Sequence, residues 1–228
     1  MIKRDSYLKK IIPFIGTDLV KVLTGLRRSG KSVMMLLIQE ELIKRNVLPE
    51  QIISVNFEDF DYMELKDPLK LNDWVKEKAK NIKDKTYLFL DEIQEVNNWE
   101  RVIDSLRISL NIDIYITGSN AKLLSSELAT YLAGRYVQFD IYPFSYQEYL
   151  QARGLSDSFD EFRQYILFGG MPFLVNLSYQ KEPCRQYLLD VYNSILLKDI
   201  IQRNKIRDAD LLVWLIFLIG VRSHFCFC

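Results

Sequence analysis

The chain is poor in the residues that build metal centres and covalent staples: one histidine and three cysteines among 228 residues. Cys184, Cys226 and Cys228 form an odd, uneven set with neither the spacing of a zinc site nor that of a disulfide framework. His224 stands close to Cys226 and Cys228, but candidate ligands crowded into the terminal residues read as a ragged end rather than a metal clip. Charge of one sign is lacking too. Thirty Lys and Arg offset thirty Asp and Glu, so overall charge gives no long-range attraction to nucleic acid or an anionic membrane, although a local basic patch is compatible with that balance. There is no long apolar run: the longest, Leu211 to Val221, falls far short of the roughly 18 residues of a membrane helix and reads as a buried helix. The N-terminus has no apolar stretch fit for a signal peptide before Thr17 and Asp18, which leads to the expectation of a cytoplasmic protein with no membrane association. Internal repeats and low-complexity segments are absent from the sequence.

What is present is an alternation of apolar strand-like runs and helical stripes. A chain of this size buries roughly 70% of its unfolded surface, so a substantial core is available. Tyr7, Leu8, Ile11 and Ile12 fall at helical spacing before Pro13 and Gly16. Strands are expected over 19–24, 51–57, 86–90, 112–117 and 135–141. Helices are expected from Lys31 to about Arg45, from Asp67-Pro68, and from Asn97-Asn98, where the Asp and Asn residues suit N-caps. The first half of the helix from Lys31 is apolar on nearly every face, as a helix packed on a sheet would be. Lys76, Lys78, Lys80, Lys83 and Lys85 read as a solvated helix face, with polyanion binding as the alternative. After Pro143 the pattern turns to helices alone. Ser145-x-x-Glu148 and Ser158-x-x-Glu161 are capping boxes, Gly169-Gly170 closes the second helix, Pro183 opens a longer one, and Asp208 another.

One segment carries the strongest chemical signal. Gly25-Leu26-Arg27-Arg28-Ser29-Gly30-Lys31-Ser32 reads G-x-x-x-x-G-K-S between a strand and a helix, the context of a phosphate-binding loop. Gly25 and Gly30 permit backbone angles that curl successive N–H groups into an anion-holding nest, and the helix adds its positive dipole end. Lys31 is expected to reach the β and γ phosphates, and Ser32 to ligate the bridging magnesium. A second signal is Asp91-Glu92 at the end of Thr86-Tyr87-Leu88-Phe89-Leu90. Asp91 suits a metal-holding carboxylate and Glu92 a base for the attacking water, unless the two acids merely begin the next turn. Ser119 and Asn120, after the strand ending at Thr117, suit either a polar contact to the water or γ-phosphate or a helix cap. Arg135 could reach a γ-phosphate, its own or a neighbouring subunit's, or be an ordinary surface residue. Arg27 and Arg28 are alternatives for that role.

The loop, with Leu-Phe-Leu-Asp-Glu-Ile-Gln, Ile-Thr-Gly-Ser-Asn-Ala-Lys-Leu-Leu, Leu-Ala-Gly-Arg and Tyr-Pro-Phe-Ser-Tyr-Gln-Glu-Tyr-Leu, resembles uncharacterised prokaryotic ATPases of the AAA+ superfamily over about residues 1–205. The resemblance implies an α/β P-loop NTPase fold with a parallel sheet of order 5-1-4-3-2 and a helical lid. It makes Gly25 to Ser32 the Walker A motif, Asp91 and Glu92 the Walker B pair, Ser119 or Asn120 the first sensor and Arg135 a possible arginine finger, with ATP and magnesium as ligands. It also implies an ATPase core over 1–142, a lid over 143–182 and, from 183 to 228, the start of a winged-helix-like second domain. The end of the chain reads as truncated or frame-shifted by that likeness. The expected activity is magnesium-dependent ATP hydrolysis. The alternatives are a nucleotide-dependent switch or clamp on a protein or DNA partner, a P-loop kinase, or a fragment with an intact nucleotide site. A homo-oligomer is compatible with all of them.

Overall fold

The computed structural model describes residues 2–118, 132 and 134–195. The chain divides into two compact units, Met1–Gln180 and the part from Lys181 onward. In the first, helix α1 (Asp5–Ile11) leads to β1 (Val20–Thr24), α2 (Lys31–Lys44), β2 (Ile52–Asn56), α3 (Pro68–Ala79), β3 (Thr86–Asp91), α4 (Trp99–Ser109), β4 (Ile112–Thr117) and β5 (Tyr136–Asp140). Two further helices follow, α5 (Tyr146–Arg153) and α6 (Phe159–Phe168). The described part of the second unit is one helix, α7 (Lys181–Ile195), which starts before Pro183 and carries it in its first turn.

The five strands form one all-parallel sheet in the order β2-β3-β4-β1-β5, the expected 5-1-4-3-2 order. Alternation along the strands makes two cores, since successive side chains point to opposite faces. Val20 and Val22 of β1, Leu88 and Leu90 of β3 and Ile112, Ile114 and Ile116 of β4 pack with Leu71 and Val75 of α3 and Val102, Ile103 and Leu106 of α4. On the other face Leu23, Phe89, Tyr115 and Phe139 pack with Ile11 and with Met34, Met35, Leu37, Ile38 and Leu42 of α2. Val33 and Leu36 of α2 are exposed, so the apolar first half of that helix is not buried on every side.

This second face holds an ion pair that strand patterning does not announce. Lys21 and Asp113 are fully buried, with Lys21 Nζ 2.5 Å from Asp113 Oδ1. The other carboxylate oxygen accepts from Gly16 N at 2.7 Å and Tyr115 Oη at 2.9 Å, while Lys21 also donates to Thr17 O at 3.0 Å. Burial lowers the Lys21 pKa, against the raising effect of Asp113. With Lys85 Nζ donating to Gly16 O at 2.7 Å, the network fastens the 16–17 turn beneath the sheet. Lys78, Lys80 and Lys83 are exposed.

Helix ends follow local chemistry. Asp67 accepts from Leu69 N and Lys70 N, and the Ser145–Glu148 capping box is complete. Ser158 accepts from Glu161 N, but the Glu161 carboxylate turns to Arg153 at 2.7 Å and Tyr149 at 2.5 Å. Burial, together with that contact with the acid, pushes the Tyr149 phenol up to about 12. Gly169, at φ 74°, caps α6. Asn98 stands at the N-cap of α4 with φ 50° and no side-chain cap bond, so the capping expected of it is not made. The expected helix from Asp208 lies outside the described residues.

Candidate functional site

Parallel register places all five strand C-termini on one edge. Thr24 stands beside Asp140, Leu23 beside Thr117, Leu90 beside Ile116, and Asn56 beside Asp91. The loop leaving β1 therefore emerges next to the tip of β4, with the tip of β3 one strand further. Gly25 takes φ 149°, and a Cβ there would lie 2.2 Å from Ile141 O, so the close approach of loop and the chain after β5 requires glycine. Arg28 is left-handed at φ 63°, and Gly30, at φ 98°, is the N-cap of α2. No side chain caps that helix, so its first-turn amides are left to an anion. The Ser29 hydroxyl is buried in the loop without a hydrogen-bond partner. An uncapped helix start and an orphaned buried hydroxyl in one loop fit a phosphate group.

Lys31 is buried, its Nζ donating to Gly25 O and Leu26 O at 3.2 Å each, and lies 3.7 Å from Glu92 Oε1. The ammonium thus fills the mouth of its own loop and faces the carboxylate at the tip of β3. Ser32 is exposed in the first turn of α2, and Leu26 and Arg28 are exposed on the loop, with Arg27 half-buried. Asp91 closes β3, and Glu92 follows in a left-handed conformation at φ 55°. For a non-glycine residue such a conformation costs roughly 1–2 kcal/mol, so something must hold it. Thr117 does. Its hydroxyl donates to Asp91 Oδ1 and accepts from Glu92 N at 3.0 Å, locking both acids to the adjacent strand tip. The remaining oxygen of Glu92 accepts from Gln94 Nε2.

Thr117 was not singled out in the sequence, where it reads as the last residue of a strand. Its signal was slight: a hydroxyl ending an apolar strand, opposite the acids in a parallel pairing. Ser119 and Asn120 lie outside the described residues. For Arg135 the structure bears on one option alone, reach within its own subunit. The residue precedes β5, at the strand's N-terminal end, where its carbonyl accepts from Val20 N, so the five residues of β5 separate it by roughly 15 Å from the phosphate-loop edge. Its guanidinium is half exposed and 3.5 Å from Asp104 Oδ1. A γ-phosphate in its own subunit is out of its reach.

A cavity of about 480 Å3 lies between α1 and the start of α5, and its wall includes Tyr7, Tyr142, Phe144, Ser145, Glu148 and Tyr165. Arg4 spans from the loop to this wall. Buried to 2% exposure, it donates to Ser29 O at 3.3 Å on one side and to Tyr142 O at 2.8 Å and Glu148 on the other. Arg4 was also missed, because Met1-Ile2-Lys3-Arg4 reads as an ordinary charged terminus.

A five-stranded parallel sheet of order 2-3-4-1-5, with a glycine loop between its β1 strand and the following helix, defines a P-loop NTPase of the AAA+ type. Residues 17–150 match the AAA domain family model, and the chain belongs to that family. It is 40% identical over 217 residues to an uncharacterized protein of Haemophilus influenzae, a match covering 93% of this chain and 54% of the relative. With an uncharacterized protein of Methanocaldococcus jannaschii it shares 32% identity over 227 residues, covering 91% of this chain and 46% of the relative. The chain thus spans about half the length of the relatives it matches. The Aeropyrum pernix Orc1 protein, solved in complex with DNA, overlays with a TM-score of 0.47 at 13% identity, over 68% of this chain and 50% of that one. Among the described residues no helix is long and apolar enough to cross a membrane.

Proposed function

We propose that the chain binds ATP with Mg2+ and hydrolyses it at the β1–β3–β4 edge. The observation that carries this reading is the approach of Lys31 to Glu92, 3.7 Å apart although they come from separate segments of the chain. The loop Gly25 to Ser32 holds the phosphates through its amides, with Lys31 as the cation that leaves the Gly25 and Leu26 carbonyls for phosphate oxygens. Ser32 and Asp91 are the residues that would hold Mg2+, which when bound neutralises charge on the phosphates. Glu92 orients the attacking water and accepts its proton. Thr117 keeps Asp91 and Glu92 in register with the loop. The cavity lined by Tyr7, Tyr142, Phe144 and Tyr165 is the place we assign to the nucleobase, since aromatic walls suit stacking on a planar ring. Asn120 keeps its place in the proposal as the polar group beyond β4 that senses water or γ-phosphate. Arg135 enters only as a group offered to a neighbouring copy.

One observation favours a second reading, a nucleotide-dependent switch with little turnover acting on a protein or DNA partner. Both Glu92 oxygens are engaged, one near Lys31 and one by Gln94. The two readings part in one experiment. Paired measurement of ATP binding and phosphate release should show turnover in the wild type that Glu92→Gln removes while binding survives. Tight binding without release in the wild type would transfer the proposal to the switch.

A further inference from the structure

Arg4 is a buried cation outside the phosphate-loop motif, and every side-chain hydrogen bond it donates goes to a distant segment of the chain. Its Nε donates to Glu148 Oε1 at 2.9 Å and its Nη2 to Glu148 Oε2 at 3.2 Å, a two-pronged pair across 144 residues. The same Nη2 donates to Tyr142 O at 2.8 Å and lies 3.4 Å from Pro143 O, in the connection leaving β5. Nη1 donates to Ser29 O at 3.3 Å, inside the phosphate loop. The guanidinium also sits over the rings of Tyr7 and Phe144, at 4.5 and 5.5 Å from their centroids. We infer that Arg4 and Glu148 are a positioning pair that sets the phosphate loop and couples it to helix α5. This rests on the ATP reading of the site.

The physical reason lies in the peptide joining Ser29 to Gly30. A peptide unit is planar, and its C=O and N–H point to opposite sides. Holding Ser29 O from behind therefore turns Gly30 N–H toward the concave side of the loop, where an anionic oxygen would bind. Gly30 has φ 98°, a conformation in which rotation of this peptide is otherwise easy, so an external grip is needed to fix it. Arg4 provides the grip only while its own fork is held, and Glu148 holds the fork. Glu148 in turn stands at the third position of α5, where Oε2 accepts from Ser145 N at 2.9 Å. Burial alone would raise the Glu148 pKa, but the Arg4 and Ser145 contacts outweigh it and hold the carboxyl below its ordinary value. The carboxylate is thus charged at neutral pH and shared between the cap of α5 and the loop's clamp. Anything that shifts the start of α5 moves Arg4, and through it the Ser29–Gly30 peptide.

Glu148→Gln is the informative variant. Glutamine preserves the capping box, so α5 keeps its N-terminus, but its amide presents donors to a guanidinium that needs acceptors. Arg4→Lys is the companion: it keeps the charge and loses the fork. The measurements on the full chain are MgATP affinity by calorimetry and amide hydrogen exchange of Tyr146–Arg153 with and without MgATP. Both variants are expected to bind about tenfold more weakly or worse, the loss that follows from one broken charge-assisted hydrogen bond. In the wild type MgATP should slow exchange in α5, and in either variant that protection should vanish. A purely structural role would lower the unfolding temperature and leave affinity and ATP-induced protection intact, and that result in either folded variant overturns the inference. Absence of MgATP binding in the wild type would instead overturn the ATP reading itself.

Discussion

Replacing Thr117 by valine removes one hydroxyl and nearly preserves shape, which makes it a sharp probe of how the two acids are held. That hydroxyl makes two hydrogen bonds, to Asp91 Oδ1 and from Glu92 N. Losing a bond to a charged group costs about 1.5–3 kcal/mol, and an orphaned amide about 1–3 kcal/mol. Asp91 is only half-buried and can recover a water, so its share falls at the low end. Glu92 also loses what stabilises its left-handed backbone. The sum is about 2.5–4.5 kcal/mol, which for a chain of this size lowers the unfolding temperature by roughly 5–15 °C. Calorimetry checks the stability, and phosphate release checks the site. Misplacing Glu92, the carboxylate proposed to activate water, by about 1 Å should reduce turnover on the order of 100-fold while MgATP affinity changes little. An unchanged unfolding temperature with wild-type turnover would refute the idea that Thr117 locks the two acids.

The buried pair beneath the sheet predicts that Asp113→Ala, which strands Lys21, destabilises by about 3–5 kcal/mol in urea unfolding, whereas Lys21→Met with Asp113→Leu costs much less. Equal effects of the single and double replacements would show that the charges do not act as a pair. The depressed pKa of Glu148 gives an acid-side prediction: its contribution to stability is present above its unfolded value near 4.5 and is lost as pH falls through the lower folded value. The stability gap between wild type and Glu148→Gln should therefore be full at pH 7 and close well below pH 4.5, and a gap independent of pH would count against the pairing. Arg135→Ala should leave MgATP affinity unchanged in the isolated subunit, because the side chain lies on the opposite edge of the sheet. A large loss of affinity in dilute protein would contradict that placement.

Much of this fold was legible because local and global signals agree. Each strand is a short apolar run, and the loop and Asp91-Glu92 lie at strand ends, so parallel pairing brings them to one edge. What escaped was pairing across long separations. Arg4 and Glu148 carry no mark in sequence that they meet, and neither do Lys21 and Asp113. Thr117 escaped because a strand-ending threonine is what β propensity alone would place there. For Arg135 only the own-subunit option falls, and for a topological reason. Its neighbourhood in sequence to β5 says nothing of which end of the strand faces the loop, and the parallel register with β1 decides it. Asn98 has the residue type of a cap, but its left-handed backbone comes without a side-chain cap bond.

The central claim is that Lys31 and the loop hold nucleotide while Glu92 activates water. Calorimetric MgATP affinity and single-turnover phosphate release, measured on wild type and Glu92→Gln, test it most directly. The account predicts binding in both within about threefold and turnover reduced by about 100-fold or more in the variant, the range for loss of a general base. Wild-type turnover in Glu92→Gln, or loss of binding in a folded Glu92→Gln protein, would contradict it.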